Sequence, residues 1–83
     1  MEKFKLKNEQ IEFLRKYYLD DELVKKVLDA ENAESFKLDI DTYLDFMDYI
    51  EDQSVYWMGP DYEATQETIM LESIRDDIYY QTN

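Results

Sequence analysis

The chain holds one glycine, Gly59, and one proline, Pro60, in 83 residues. Tight turns between strands draw on residues that accept positive φ or carry a pre-set φ, so a sheet of several hairpins has almost nothing to turn on. Helices joined by short polar connections are the remaining economical solution, and the hydrophobic spacing agrees with it. The expected fold is all-α, a small bundle of three to four helices in a single domain over 1–83. A short N-terminal extended segment is the open variant.

From Asn8, read as an N-cap, Ile11, Leu14 and Tyr18 fall on one face and predict a first helix over 8–18. Asp20 is placed to cap a second, with Leu23, Val24, Val27 and Leu28 as its buried stripe and an end near Ala30. Glu31 to Lys37 has no clear period and reads as a connection, with a short extended piece at Ser35 to Leu38. Ile40, Tyr43, Leu44, Met47 and Ile50 predict a third helix over 39–54. A turn at Tyr56 to Pro60 follows, where Gly59 can adopt a backbone conformation closed to other residues and Pro60 suits a first helical position. The fourth helix is expected over 60–80, its inward stripe being Ala64, Thr68, Leu71, Ile74 and Ile78. Lys3 to Lys7 alternates like a strand, but no partner strand is evident, and neither an internal repeat nor a low-complexity tract is present.

Charge divides the chain unevenly. Residues 1–30 balance seven basic against seven acidic side chains, whereas residues 31–83 carry fourteen acids against Lys37 and Arg75, which accounts for the whole net charge of -12. A surface this negative seeks positive partners and is repelled by phosphate, so the expected partner is a basic protein surface and direct nucleic-acid binding is not expected. No apolar stretch approaches the roughly 20 residues that cross a bilayer, so no membrane partner is expected. Without cysteine there are no disulfides or thiolate sites, and with no signal-peptide pattern the expected compartment is the cytoplasm.

The chain also lacks histidine. Ser-His and Cys-His nucleophile arrangements are thereby excluded, and carboxylate pairs alone, in a chain too small for a deep cleft, point away from an enzyme. Asp39, Asp41 and Asp45 resemble the start of a calcium loop without its glycine, and Tyr43 and Leu44 fit a helix better, so neither a metal nor a cofactor is expected.

The most specific pattern is Asp41, Asp45, Asp48 and Asp52. At i, i+4, i+7 and i+11 they run along one side of the third helix and span roughly 16 Å, or about 5 Å per charge, a spacing of the same order as the roughly 3.4 Å between phosphates on one DNA strand. Glu63, Glu67 and Glu72, with Asp76 and Asp77, are expected to form a second, flanking row on the fourth helix where the two helices pack side by side. An amphipathic helix needs a polar outer face in any case, but solvated helices usually mix signs to gain i,i+4 pairs, and these rows do not.

Eight tyrosines are more phenol than a core of this size can satisfy, so several must reach the surface. Tyr49, Tyr56 and Trp57, beside Glu51 and Asp52, form the candidate aromatic contact, suited to arginine-rich partners. Trp57 beside Val55 and Met58 also fits a core anchor.

Three classes of function are compatible with these features. The sharpest is a non-enzymatic, nucleic-acid-mimicking inhibitor of a DNA- or RNA-binding protein, of the phage or mobile-element type. The second is an immunity or antitoxin-type protein held to a basic toxin by its aromatics. The third is a small accessory or oligomerising helical domain of bacterial or phage origin, in which a homodimer covers the tyrosines.

Overall fold

The computed structural model describes residues 2–82. It comprises β1 (Glu2–Lys5), α1 (Asn8–Tyr17), α2 (Glu22–Asp29), β2 (Ser35–Leu38), α3 (Ile40–Tyr56) and α4 (Gln66–Thr82). Four helices thus form a small, mostly helical bundle, and the partner that β1 needed is supplied by the short extended piece before α3. β1 and β2 pair antiparallel with Phe4 opposite Phe36, their rings stacked 5.2 Å apart.

The alternation of a pleated strand explains the pairing. Phe4, Leu6, Phe36 and Leu38 all turn inward and are buried, while Lys3, Lys5 and Lys37 stay exposed on the outer face. The tripeptide Phe-Lys-Leu occurs in both segments, at 4–6 and 36–38. In the antiparallel register only the two Phe residues face each other, so what the segments share is the apolar–basic alternation that suits a half-buried strand. The open edge of β1 is occupied by a side chain: Gln81 accepts from the Lys5 N–H at 2.7 Å and donates to the Lys5 carbonyl at 2.8 Å, as a third strand would.

The turn into β2 is made without glycine. Asn32 and Ser35 exchange backbone hydrogen bonds of 2.8 and 3.1 Å across Ala33 and Glu34, whose φ angles are 54° and 68°. Two positive φ values in a row mark a primed hairpin turn, a conformation that costs ordinary L-residues roughly 1–2 kcal/mol each. The scarcity of glycine therefore limits turns but does not forbid this one.

The helix caps differ from expectation by a residue or more. Lys7, not Asn8, precedes α1, and the Gln10 side chain accepts from the Lys7 N–H at 2.8 Å. Asp21, not Asp20, caps α2 by accepting from Val24 N–H. Asp39 caps α3, accepting from the Thr42 N–H and hydroxyl at 3.0 and 2.7 Å. α4 begins six residues later than Pro60 would place it. Pro60 lies in the preceding loop, and Thr65 caps the helix by accepting from Thr68 N–H at 3.1 Å while donating to the Trp57 carbonyl. Gly59 does not adopt positive φ; Tyr62 does, at 59°.

The largest helix–helix seam joins α3 to α4. Two hydrogen bonds pin its ends: Thr68 donates its hydroxyl to the Ser54 carbonyl at 3.0 Å, and Tyr43 and Thr82 share one of 2.6 Å. These fix an antiparallel arrangement. Gln10, buried on α1, ties that helix to α4 by donating to Asp77 at 2.9 Å and to Ser73 at 3.3 Å.

The buried line of α3 is Thr42, Tyr43, Phe46, Ile50 and Ser54. Ile40 and Leu44, expected inside, are each 51% exposed, and Met47 is only half-buried. The helix is rotated relative to the predicted stripe because Phe46, fully buried, removes more apolar area from water than Leu44 would. Ala64, expected on the α4 stripe, is exposed in the loop, whereas Thr68, Leu71, Ile74 and Ile78 are buried as expected. Accordingly, Phe46→Ala is expected to lower the unfolding free energy in urea by about 3–5 kcal/mol, and Leu44→Ala by less than about 1 kcal/mol. The reverse order would mean that α3 packs on its other face.

Candidate partner-binding surface

The rotation of α3 decides which side chains face solvent. At about 100° per residue, Asp41, Asp45, Asp48 and Asp52 centre roughly half a turn away from Tyr43, Phe46 and Ile50. All four are exposed. Among the described residues the ion pairs are those of Arg75, with Glu51 at 3.5 Å and Asp76 at 3.1 Å, so no cation neutralises the row. The row therefore stands as the spacing predicted.

The flanking row does not form. Glu63 is exposed in the loop before α4, where its carbonyl accepts from Gly59 N–H. Glu67 is half-buried beside Phe13, Tyr17 and Met70, toward α1. Glu72 is half-buried on α4, and exposed Asp76 is tied to Arg75. At about 100° per residue Glu63 and Glu67 stand half a turn from Glu72 and Asp76, so no helix start would bring the four onto one face, and the loop before α4 takes Glu63 out of the helix altogether.

Tyr49, Tyr56 and Trp57 do come together, at the end of α3 nearest the α1–α2 turn, in a cleft of about 510 Å³ that Tyr17, Tyr18 and Asp21 also line. The Trp57 indole N–H donates to the Tyr18 hydroxyl at 2.9 Å, which donates to Gln53 at 3.1 Å. Tyr56 stacks on Trp57 with ring centroids 5.8 Å apart, Tyr17 meets Trp57 edge-on, and Tyr18 meets Tyr49 edge-on. Trp57 is half-buried and anchors this cluster, while Tyr56 is 69% exposed. Tyr17 and Tyr18 were not among the expected contacts, although Phe13 and Tyr17 at i, i+4 marked an aromatic face on α1.

Burial pushes the Tyr18 phenol up, partly offset by the Trp57 donor; Asp21 and Tyr56 add to the rise. Tyr49 is pushed up by burial first and then by the Asp21 carboxylate. Asp39 is held below the usual carboxylate range by its Thr42 donors.

A second groove, of about 520 Å³, lies between α3 and α4. Tyr43, Leu44, Met47 and Tyr79 line it, with Asp48, Glu51, Arg75 and Asp76 at its margins. Among the described residues no group of acidic side chains converges closely enough to hold a metal ion, and no helix is long and apolar enough to cross a membrane. No family model matches the chain, and neither a curated protein nor a solved structure matches it. What the surface can do is read from its chemistry.

Two outcomes follow. Replacing Asp45, Asp48 and Asp52 with Asn removes three like-charge contacts at i,i+3 and i,i+4, each worth roughly 0.2–0.5 kcal/mol, while leaving Asp41 to favour the helix N-terminus. The triple variant is expected to be about 1 kcal/mol more stable than the parent in dilute buffer, with the gain shrinking as salt is added. No gain in urea titrations at low salt would show that the row is not under repulsion. The buried phenols bind their protons more tightly folded than unfolded, so their contribution is complete below the ordinary value of 10.0 and declines as pH rises past it. Tyr49→Phe should flatten the loss of stability seen above about pH 10, and an unchanged alkaline limb would contradict this.

Proposed function

We propose that the chain is a non-enzymatic acidic binding protein that engages a basic protein surface, with the outer face of α3 imitating one strand of a nucleic-acid backbone. The observation that carries this reading is the line of four exposed aspartates with no cation paired to them among the described residues. Interspersed lysines would have removed the repulsion at no cost to packing, so the unmixed row is retained against the interest of the fold. A basic groove that ordinarily holds phosphates would meet carboxylates at comparable intervals along a rigid rod.

Only one row is presented, so the imitation is of a single strand and not of a duplex. The occupant of the reading is a nucleic-acid-binding protein, and the role is inhibitory occupancy of its groove, as for proteins of phage or mobile elements. A cytoplasmic setting belongs to the same reading, and the cysteine-free composition supports it.

The exposed Tyr56 ring in the cluster with Trp57 favours a second reading, in which aromatic anchoring holds a single basic partner as an immunity protein holds its toxin. The two separate in one experiment. Partners captured on the immobilised chain are eluted by single-stranded DNA or by salt, in parallel with the Asp45→Asn, Asp48→Asn, Asp52→Asn variant and with Tyr56→Ala. Mimicry predicts release by DNA, steep loss with salt and no capture by the triple Asn variant. A partner that resists DNA and salt, and is lost only with Tyr56→Ala, would contradict it and establish the aromatic reading.

A further inference from the structure

The rotation of α3 leaves an apolar strip in solvent that the acidic row does not explain. Ile40, Leu44 and Met47 stand at i, i+4 and i+7 on the α3 flank, and Tyr79 of α4, 61% exposed, faces the same groove as Leu44 and Met47. Asp48, Glu51 and Asp76 rim that groove. Its spacing is that of a surface that receives a helix, in which anchors recur every three or four residues.

The one cation in the groove shows what its rim accepts. Arg75 lines the groove together with its apolar side chains and is held by Glu51 at 3.5 Å and Asp76 at 3.1 Å. A guanidinium held by two carboxylates in a groove with apolar lining is the arrangement that an arginine or lysine of an incoming helix would reproduce with Asp48 and the neighbouring row. A second copy of this chain is a poor occupant, because an isologous contact would set one acidic rim against another in a pair of molecules each carrying a net charge of -12.

We infer that the α3/α4 groove docks a cationic amphipathic helix of the partner, its apolar face against Leu44, Met47 and Tyr79 and its basic flanks against Asp48, Glu51 and Asp76. This rests on the acidic-binding reading above and deepens it: the row supplies attraction and the groove supplies selectivity for shape.

The test uses the full chain and two synthetic peptides about four to five turns long, one with leucines at i,i+3/i+4 spacing and lysines elsewhere, the other a scramble of the same composition without an apolar face. Calorimetric titration should show the amphipathic peptide binding at least about tenfold more tightly than the scramble. Leu44→Ser should erase that difference, and Arg75→Gln, which frees two carboxylates, should strengthen binding of the amphipathic peptide. Equal affinity for the two peptides would overturn the groove while leaving the acidic row intact as a binder of cations. Binding of neither peptide would remove both. A dimer in sedimentation that Leu44→Ser dissociates would also overturn the proposal, by showing the groove to be covered by a second copy.

Discussion

Burial of Phe46 sets the rotation of α3, and that rotation governs the rest of the surface. With Phe46 and Ile50 fully inside, and with Ser54 and Tyr43 hydrogen-bonded to α4 near its two ends, α3 has one azimuth open to it. Asp41, Asp45, Asp48 and Asp52 are then carried to the point farthest from the core, Leu44 and Met47 to the α4 flank, and Tyr49 and Gln53 to the Tyr18 flank. One packing choice produces the charged row, the apolar groove and the aromatic cleft together. A rotation of a third of a turn would bury some of the aspartates without partners, at a desolvation penalty no surface gain could offset.

The energetics of the fold run against its charge. Fourteen acids in the last fifty-three residues repel one another, yet the core closes over Phe4, Phe36, Phe46 and the aliphatic line of α4. Hydrophobic burial outweighs the repulsion because screened surface charges interact by tenths of a kcal/mol, whereas each buried large side chain contributes roughly 1.5–3 kcal/mol. Buried polar groups add little strain to this balance: among the described residues every buried side-chain nitrogen and oxygen has a hydrogen-bond partner. Gln10 is the clearest case, its amide serving the α1 N-terminus and α4 at once.

Helix content and the face of α1 were legible in the residues because Ile11, Leu14 and Tyr18 offer a single apolar stripe; of the stripe expected on α2, Val24 and Val27 are buried while Leu23 and Leu28 are half-buried. On α3 two stripes compete, Ile40–Leu44–Met47 and Tyr43–Phe46–Ile50, and periodicity cannot rank them; the volume of Phe46 can. The start of α4 was misplaced because Pro60 carries a generic preference, while the capping hydrogen bonds of Thr65 depend on where the Trp57 carbonyl lies. β2 was visible only as a short extended piece, since pairing across thirty residues leaves no local trace beyond the alternation of each segment by itself. Of the expected groupings, the aspartate row and the Tyr56–Trp57 pair are brought together because their spacing lies within one helix or at its end. Glu63, Glu67, Glu72 and Asp76 disperse because the five-residue step from Glu67 to Glu72 carries the second pair toward the opposite side of a helix, wherever that helix begins.

The most direct measurement of the central claim is carboxyl footprinting by carbodiimide labelling and mass spectrometry, on the free chain and on the chain bound to a captured basic partner. The account predicts that Asp41, Asp45, Asp48 and Asp52 all label readily when free and are protected as a group in the complex, while Glu9 and Glu12 of α1 continue to label. Persistent labelling of the four aspartates in the complex, with protection elsewhere, would contradict it.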